Sequence, residues 1–129
     1  MPFTHNIRQV WASAGDSVDR ALNLTPDAED KRSLSVATGV TDQQVLIAFT
    51  LASLVDYYIV SDKNVTLETN SITGAGGDVI SLVAGQPITW SSAANQAKHF
   101  TVDVTTIYLT NASGATATIE IRIGKDSTP

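Results

Sequence analysis

Ala117-Thr118-Ile119-Glu120-Ile121-Arg122-Ile123 is the stretch that decides the fold. Apolar residues occupy the odd positions and polar ones the even positions. Side chains of an extended strand point alternately to its two faces, so this run has one apolar and one polar face. Isoleucine and threonine are stiff at χ1 and suit a pleated surface better than a helix. Upstream, Phe100 to Thr110 is a second β-rich run, and Asn111-Ala112-Ser113-Gly114 between the two is turn chemistry. The pair reads as an antiparallel hairpin. The second run carries a fault: Phe100, Val102 and Val104 share one parity, Ile107 and Leu109 the other. One regular strand cannot place all five on one face, so a bulge or break is expected near Thr105-Thr106.

Further outward, Leu54 to Ser61 is apolar on both faces and is expected to lie centrally in a sheet. Asp62-Lys63-Asn64 then reads as a second hairpin turn, leading to Val65 and Leu67 in alternation with Thr66 and Glu68. Gln43 to Leu51 holds Val45, Ile47 and Phe49 at period 2. Ser33 to Ala37, Val79 to Val83 and Ile88 to Ser91 are shorter strands, the last led in by Gly85-Gln86-Pro87. Phe3, Ile7 and Trp11 share a parity opposite Thr4, Asn6 and Arg8. Asp16 to Leu24 reads as a strand with Val18, Leu22 and Leu24 inward; the alternative is a short helix capped at Asp16. Pro26 opens an acidic loop through Asp27, Glu29 and Asp30, and Thr73 to Gly77 is the loosest loop by composition.

Nine or ten short strands with frequent turn signals, and no amphipathic helix between them, exclude βαβ units. The expected fold is all-β: an antiparallel β-sandwich of jelly-roll type, one domain over residues 1–129. Composition agrees. The chain has 129 residues, 43% hydrophobic and only 16% charged, with sixteen threonines and twelve serines. Such a balance excludes disorder, collagen and coiled coil. No apolar run approaches the roughly 18 residues of a membrane span, and no membrane partner is expected. The N-terminus lacks the pattern of a signal peptide. With no cysteine in the chain, folding in a reducing cytosol is expected. The net charge of −5, without aromatic and basic residues interleaved, argues against a nucleic-acid partner.

No catalytic motif emerges. His5 and His99 lie far apart in sequence with no carboxylate pattern beside them, so no metal site is expected. Gly74-Ala75-Gly76-Gly77 is followed by Asp78 and a strand, not by the Lys-Ser/Thr and helix of a phosphate loop. Asp27, Glu29 and Asp30 lack the spacing of a calcium loop. No nucleophile elbow is present, and no cofactor is expected. Asn23, Asn64 and Asn111 open Asn-x-Ser/Thr triplets, which so much threonine and serine produces by chance. Trp11, Trp90, Tyr57, Tyr58 and Tyr108 are weighed as a sugar-stacking platform against filling a core or a protein interface, and the second use is the commoner one.

Three stretches carry a resemblance: Ser61 to Asn70 (SDKNVTLETN), Asp78 to Trp90 (DVISLVAGQPITW) and Phe100 to Asn111 (FTVDVTTIYLTN), closed by Ile119-Glu120-Ile121-Arg122-Ile123. Over about residues 40–125 the chain resembles small β-sandwich virion proteins of tailed bacteriophages, and among these the capsid decoration, or cement, proteins. The resemblance implies a structural protein and not an enzyme. It implies a location on the virion capsid surface, the major capsid protein as partner and a homotrimer as the working unit. The N-terminal third departs most from the pattern; in such proteins it often carries the capsid-contacting arm, expected here over about residues 1–10. Either a segment from Met1 to Ile7 adds as a strand to a neighbour, or exposed aromatic residues anchor an apolar patch. Phe3, Ile7 and Trp11 are the candidate interface residues. Other readings are a tail, baseplate or head-fibre component on a similar sandwich, a carbohydrate-binding module, and a small enzyme.

Overall fold

A computed structural model describes residues 3–93 and 95–126. Its ten strands are β1 (His5–Ser13), β2 (Asp16–Leu24), β3 (Ala28–Val36), β4 (Gln43–Val45), β5 (Leu54–Ser61), β6 (Val65–Thr69), β7 (Val79–Leu82), β8 (Ile88–Ser91), β9 (Ile107–Thr110) and β10 (Ala117–Lys125). Eight form two four-stranded antiparallel sheets, ordered β3-β10-β5-β8 and β4-β9-β6-β7. Among the connections from β3 to β10, only that from β6 to β7 stays within one sheet; every other crosses the core. This is the double-sheet jelly roll expected from the strand count and the alternation.

Alternation decides what is buried. Ala117, Ile119, Ile121 and Ile123 of β10 face the opposite sheet and are all but inaccessible. Tyr57 and Ile59 of β5, Val65 and Leu67 of β6, and Ile107 and Leu109 of β9 complete the layer. Each such aliphatic side chain stabilises the fold by about 1.5–3 kcal/mol through area removed from water. An aromatic group joins them: Tyr57 stacks on Trp90 at 6.1 Å between ring centroids, and Phe100 meets Tyr57 and Phe49 edge-on at 5.1 and 5.3 Å.

Two expected hairpins are not hairpins. Asn111 to Gly114 joins β9 to β10, and Asp62 to Asn64 joins β5 to β6, but in each case the strands belong to opposite sheets. Turn residues reverse the chain without choosing its hydrogen-bonding partner. Two consecutive strands that each have one apolar face can bury those faces against each other across the core instead of side by side. The first crossing is locked by Asn111, which is fully buried. Its Nδ2 donates to the carbonyls of Val36 and Ala115, both at 2.8 Å, and its Oδ1 accepts from the Ser113 amide and hydroxyl.

The expected break before β9 is present. Asn70, at a φ of 71°, donates through Nδ2 to the Asp103 carbonyl at 2.9 Å and accepts at Oδ1 from the Thr105 amide at 2.8 Å. The regular strand starts only at Ile107, and Val102 is left exposed. β4 is shorter than expected, ending at Val45, although Ile47 and Phe49 are buried as the alternation requires. Glu29 and Asp30, expected in a loop, lie within β3, which starts at Ala28. The run from Ala28 to Arg32 is charged, and it is held in the sheet by its backbone pairing with Ile121 to Lys125 of β10.

Candidate functional site

The remaining two strands stand apart from the jelly roll. β1 and β2 pair over nine residues, from His5 opposite Leu24 to Ser13 opposite Asp16, and form their own two-stranded sheet. Gly15 closes the turn at a φ of 79°, a left-handed conformation that glycine adopts without steric cost. Asp16–Leu24 is therefore a strand, as preferred from the sequence, and not a helix.

Cross-strand partners share a face. One face of the ribbon carries Ile7 with Leu22, Gln9 with Arg20, and Trp11 with Val18. The other carries Asn6 with Asn23, whose amides bond at 2.8 Å, and Arg8, which binds Asp19. Burial falls along the ribbon. Leu24 is buried, Ile7 and Leu22 are half-buried, and everything beyond them is exposed. Trp11 is 61% exposed and Val18 63%, with Val10 close behind on the second face. Val18, expected to point inward, does not; alternation looks the same in a free ribbon and in a half-buried sheet strand.

Of the three candidate interface residues, Ile7 and Trp11 lie on β1 and Phe3 immediately precedes it. Phe3 is exposed at its root, where its amide donates to the Pro26 carbonyl at 2.8 Å. Ile7 faces a groove of about 790 Å³ under the ribbon, shared with Tyr58, Pro87, Thr89 and Arg122 of the outer sheet face. Trp11 stands near the tip. The arm is longer than the expected first ten residues, since β2 is its second half. From His5 onward the segment expected as a free strand is already paired. Met1 and Pro2, which open that segment, lie outside the described residues.

A charge cluster bolts the root to the jelly roll. His5 Nδ1 lies 2.7 Å from Asp56 Oδ2 on β5, and His5 Nε2 lies 2.8 Å from Glu29 Oε2 on β3. Between those strands runs β10 with Gly124, opposite both Glu29 and Asp56. A Cβ there would press on Asp56 and stand 3.0 Å from His5 Cε1, so the close approach of the root requires glycine. Burial works against the imidazolium. The hydrogen bonds and charges of Glu29 and Asp56 together outweigh it and raise the His5 pKa above 6.5. Burial raises the Asp56 carboxyl despite His5, while the bonds from His5 and Lys31 lower Glu29. These carboxylates lie 24 and 51 residues from His5 along the chain, so no local pattern announces them.

The other candidates resolve differently. His99 Nδ1 accepts from the Tyr57 hydroxyl at 2.6 Å, and burial lowers its pKa. The aromatic residues do not form one platform. Trp90 and Tyr57 are core, Trp90 donating its indole N–H to the Gln96 carbonyl, whereas Tyr58 and Trp11 are exposed on separate elements. Among the described residues no group of three or more His, Cys, Asp or Glu is disposed to hold a metal ion. In the His5 cluster each ring nitrogen already faces a carboxylate.

No protein-family model matches the chain, and no curated protein matches it. Two solved structures share part of its shape. One is a de novo designed double-stranded β-helix solved by solution NMR: 15% identical, TM-score 0.40, covering 75% of this chain and 99% of that one. The other comes from the disulfide-linked pili of Bacillus endospore appendages: 15% identical, TM-score 0.36, covering 78% of this chain and 88% of that one. At that level of similarity neither speaks to what this chain does.

Proposed function

We propose that this chain is a structural virion protein of a tailed bacteriophage, a capsid decoration protein that binds the assembled shell of major capsid protein and stabilises it. One observation carries the reading beyond the resemblance of the sequence: a closed jelly roll from which a hairpin projects, with Trp11 and Val18 exposed on one face. An isolated two-stranded hairpin is marginal in water unless its apolar face is covered. Exposed tryptophan on a stiff support is the kind of residue that anchors an interface. The jelly roll supplies the support; the hairpin supplies the grip.

Stabilisation then follows from mass action, because a protein that binds assembled shell and not free subunits shifts the balance toward assembly. Linked copies, with a homotrimer as the working unit, would multiply weak contacts through avidity. The sugar-binding alternative loses its platform with Trp90 and Tyr57 inside the core. A tail, baseplate or head-fibre role on the same fold is separated by copy number in purified particles: hundreds over the shell for a decoration protein, a few dozen at one vertex for the others. The direct test adds purified chain to shells stripped of it. Saturable binding that raises the temperature of shell disruption is expected, with loss of binding in Trp11→Asp. A wild-type chain that leaves shells unbound contradicts the proposal.

A further inference from the structure

We infer that His5 is a proton-operated latch for the hairpin: its imidazolium, clamped between Glu29 and Asp56 over Gly124, fixes the arm against the jelly roll, and loss of the proton frees the arm to swing. The argument is geometric. Both ring nitrogens face carboxylate oxygens at hydrogen-bond distance. A neutral imidazole has one N–H, so without the added proton one contact becomes a lone pair against a carboxylate. With Glu29 and Asp56 both ionised, only the charged ring satisfies both sides at once.

The latch is poorly duplicated. At the root the backbone is tied by Phe3 N–H to the Pro26 carbonyl and by Asp27 N–H to the Lys125 carbonyl, which leaves a short connection around Pro26 as a hinge. Leu24 is the buried side chain of the ribbon, and the residues beyond Leu22 and Ile7 are exposed.

The charged groups around His5 come from each element packed there. β5 contributes Asp56. β3 contributes Glu29, with Lys31 Nζ 3.0 Å from Glu29 Oε1. On β10, Gly124 brings no charge; Arg122, further along that face, is held by Glu120 at 2.8 Å. Asp30 is engaged by Arg32 and Lys125. Among the described residues no other cation stands between the two carboxylates that His5 bridges.

The direction in pH follows. His5 has a raised pKa, so its contribution is complete below about 6.5 and is lost as pH climbs through the raised value. Asp56, raised by burial, pulls the same way, since the fold disfavours its charged form. Glu29, lowered chiefly by the His5 bond, loses its part only as pH falls through its own lowered value. The arm is held in mildly acidic solution and released on the alkaline side.

The latch regulates the arm that the proposed function uses, and its biological meaning rests on that reading; its test does not. Because the chain has no cysteine, Ala12→Cys on the arm and Ser35→Cys on β3 accept spin labels cleanly. Spin–spin distances are read on the full chain, with no shell present, from about pH 5.5 to about pH 9. One narrow distribution is expected at low pH and a broad one at high pH. The midpoint should match the His5 titration followed by NMR. His5→Phe should be broad at every pH with the jelly roll still folded, and Glu29→Gln should move the midpoint down by about one pH unit. A distribution unchanged across the range, or a midpoint that ignores the His5 titration, overturns the latch. Failure of the chain to bind shells would leave this result standing, and the converse holds.

Discussion

Replacing each tryptophan by alanine should have opposite consequences for folding and for attachment. Trp90 is 9% exposed, stacked on Tyr57, with Lys98 Nζ 4.8 Å from its ring centre. Burying nine-tenths of a side chain of roughly 250 Å² at about 25 cal/mol per Å² comes to about 5.6 kcal/mol. Alanine keeps part of that and the cavity adds a penalty, so Trp90→Ala should cost about 3–5 kcal/mol. Against a whole-domain stability of about 5–15 kcal/mol this is severe. With a urea slope of about 2 kcal/mol per M, the midpoint should fall by about 2 M. Trp11 is 61% exposed and meets Val18 across the ribbon. Its loss removes about one cross-strand pair, under about 1 kcal/mol, and the midpoint should move by less than about 0.5 M. Shell binding should reverse the order: Trp11→Ala weakens it about 30-fold or more, the cost of a central anchor of about 2 kcal/mol. Trp90→Ala, held at a temperature where it stays folded, should bind within a few-fold of the parent. Urea unfolding followed by circular dichroism, and co-sedimentation with stripped shells, read the two effects. Equal destabilisation by both substitutions, or undiminished binding by Trp11→Ala, refutes the division of labour between body and arm.

Asn111→Ala should cost about 2–4 kcal/mol in the same unfolding assay, because it removes the buried bond to the Val36 carbonyl and one of the two bonds to the Ala115 carbonyl, which keeps the Ser113 hydroxyl. Gly124→Ala should cost about 1–3 kcal/mol by overpacking the root against Asp56, Pro26 and His5, and should broaden the arm-to-body distances at every pH. The two histidines should titrate on opposite sides of 6.5 by NMR, His5 above and His99 below. Burial favours neutral His99, so its contribution to stability falls away as pH drops below about 6.5, opposite in sign to that of His5. Tyr57, whose phenol burial pushes up to about 12 against the bond from the His99 backbone, should ionise in ultraviolet titration only near that pH or on unfolding.

What could be read from the chain beforehand divides along a physical line. The bounds of β5 and β8, the faces of β10 and the break before β9 were legible, because alternation and parity are local properties. Which sheet each strand joins was not: Asn111 and Asp62 announce reversals, and a reversal is compatible with pairing beside a neighbour or opposite it. Phe3, Ile7 and Trp11 share one parity; Ile7 and Trp11 lie on β1 of the projecting hairpin, and Phe3 sits just before it at the root. Alternation alone does not say that β2 completes the element; Ala14-Gly15 between two nine-residue runs is the signal for that hairpin. Val18 misled because an unpartnered ribbon alternates like a packed strand. The His5 cluster has no local signature, since its two carboxylates come from two other strands, β3 and β5, that only the fold brings together.

Electron cryomicroscopy of the native particle tests the central claim most directly. The account predicts a jelly roll repeated over the shell, with its β1–β2 hairpin laid on major capsid protein and the Trp11 ring buried between them. A hairpin pointing into solvent, or density for this chain confined to a tail vertex, would contradict it.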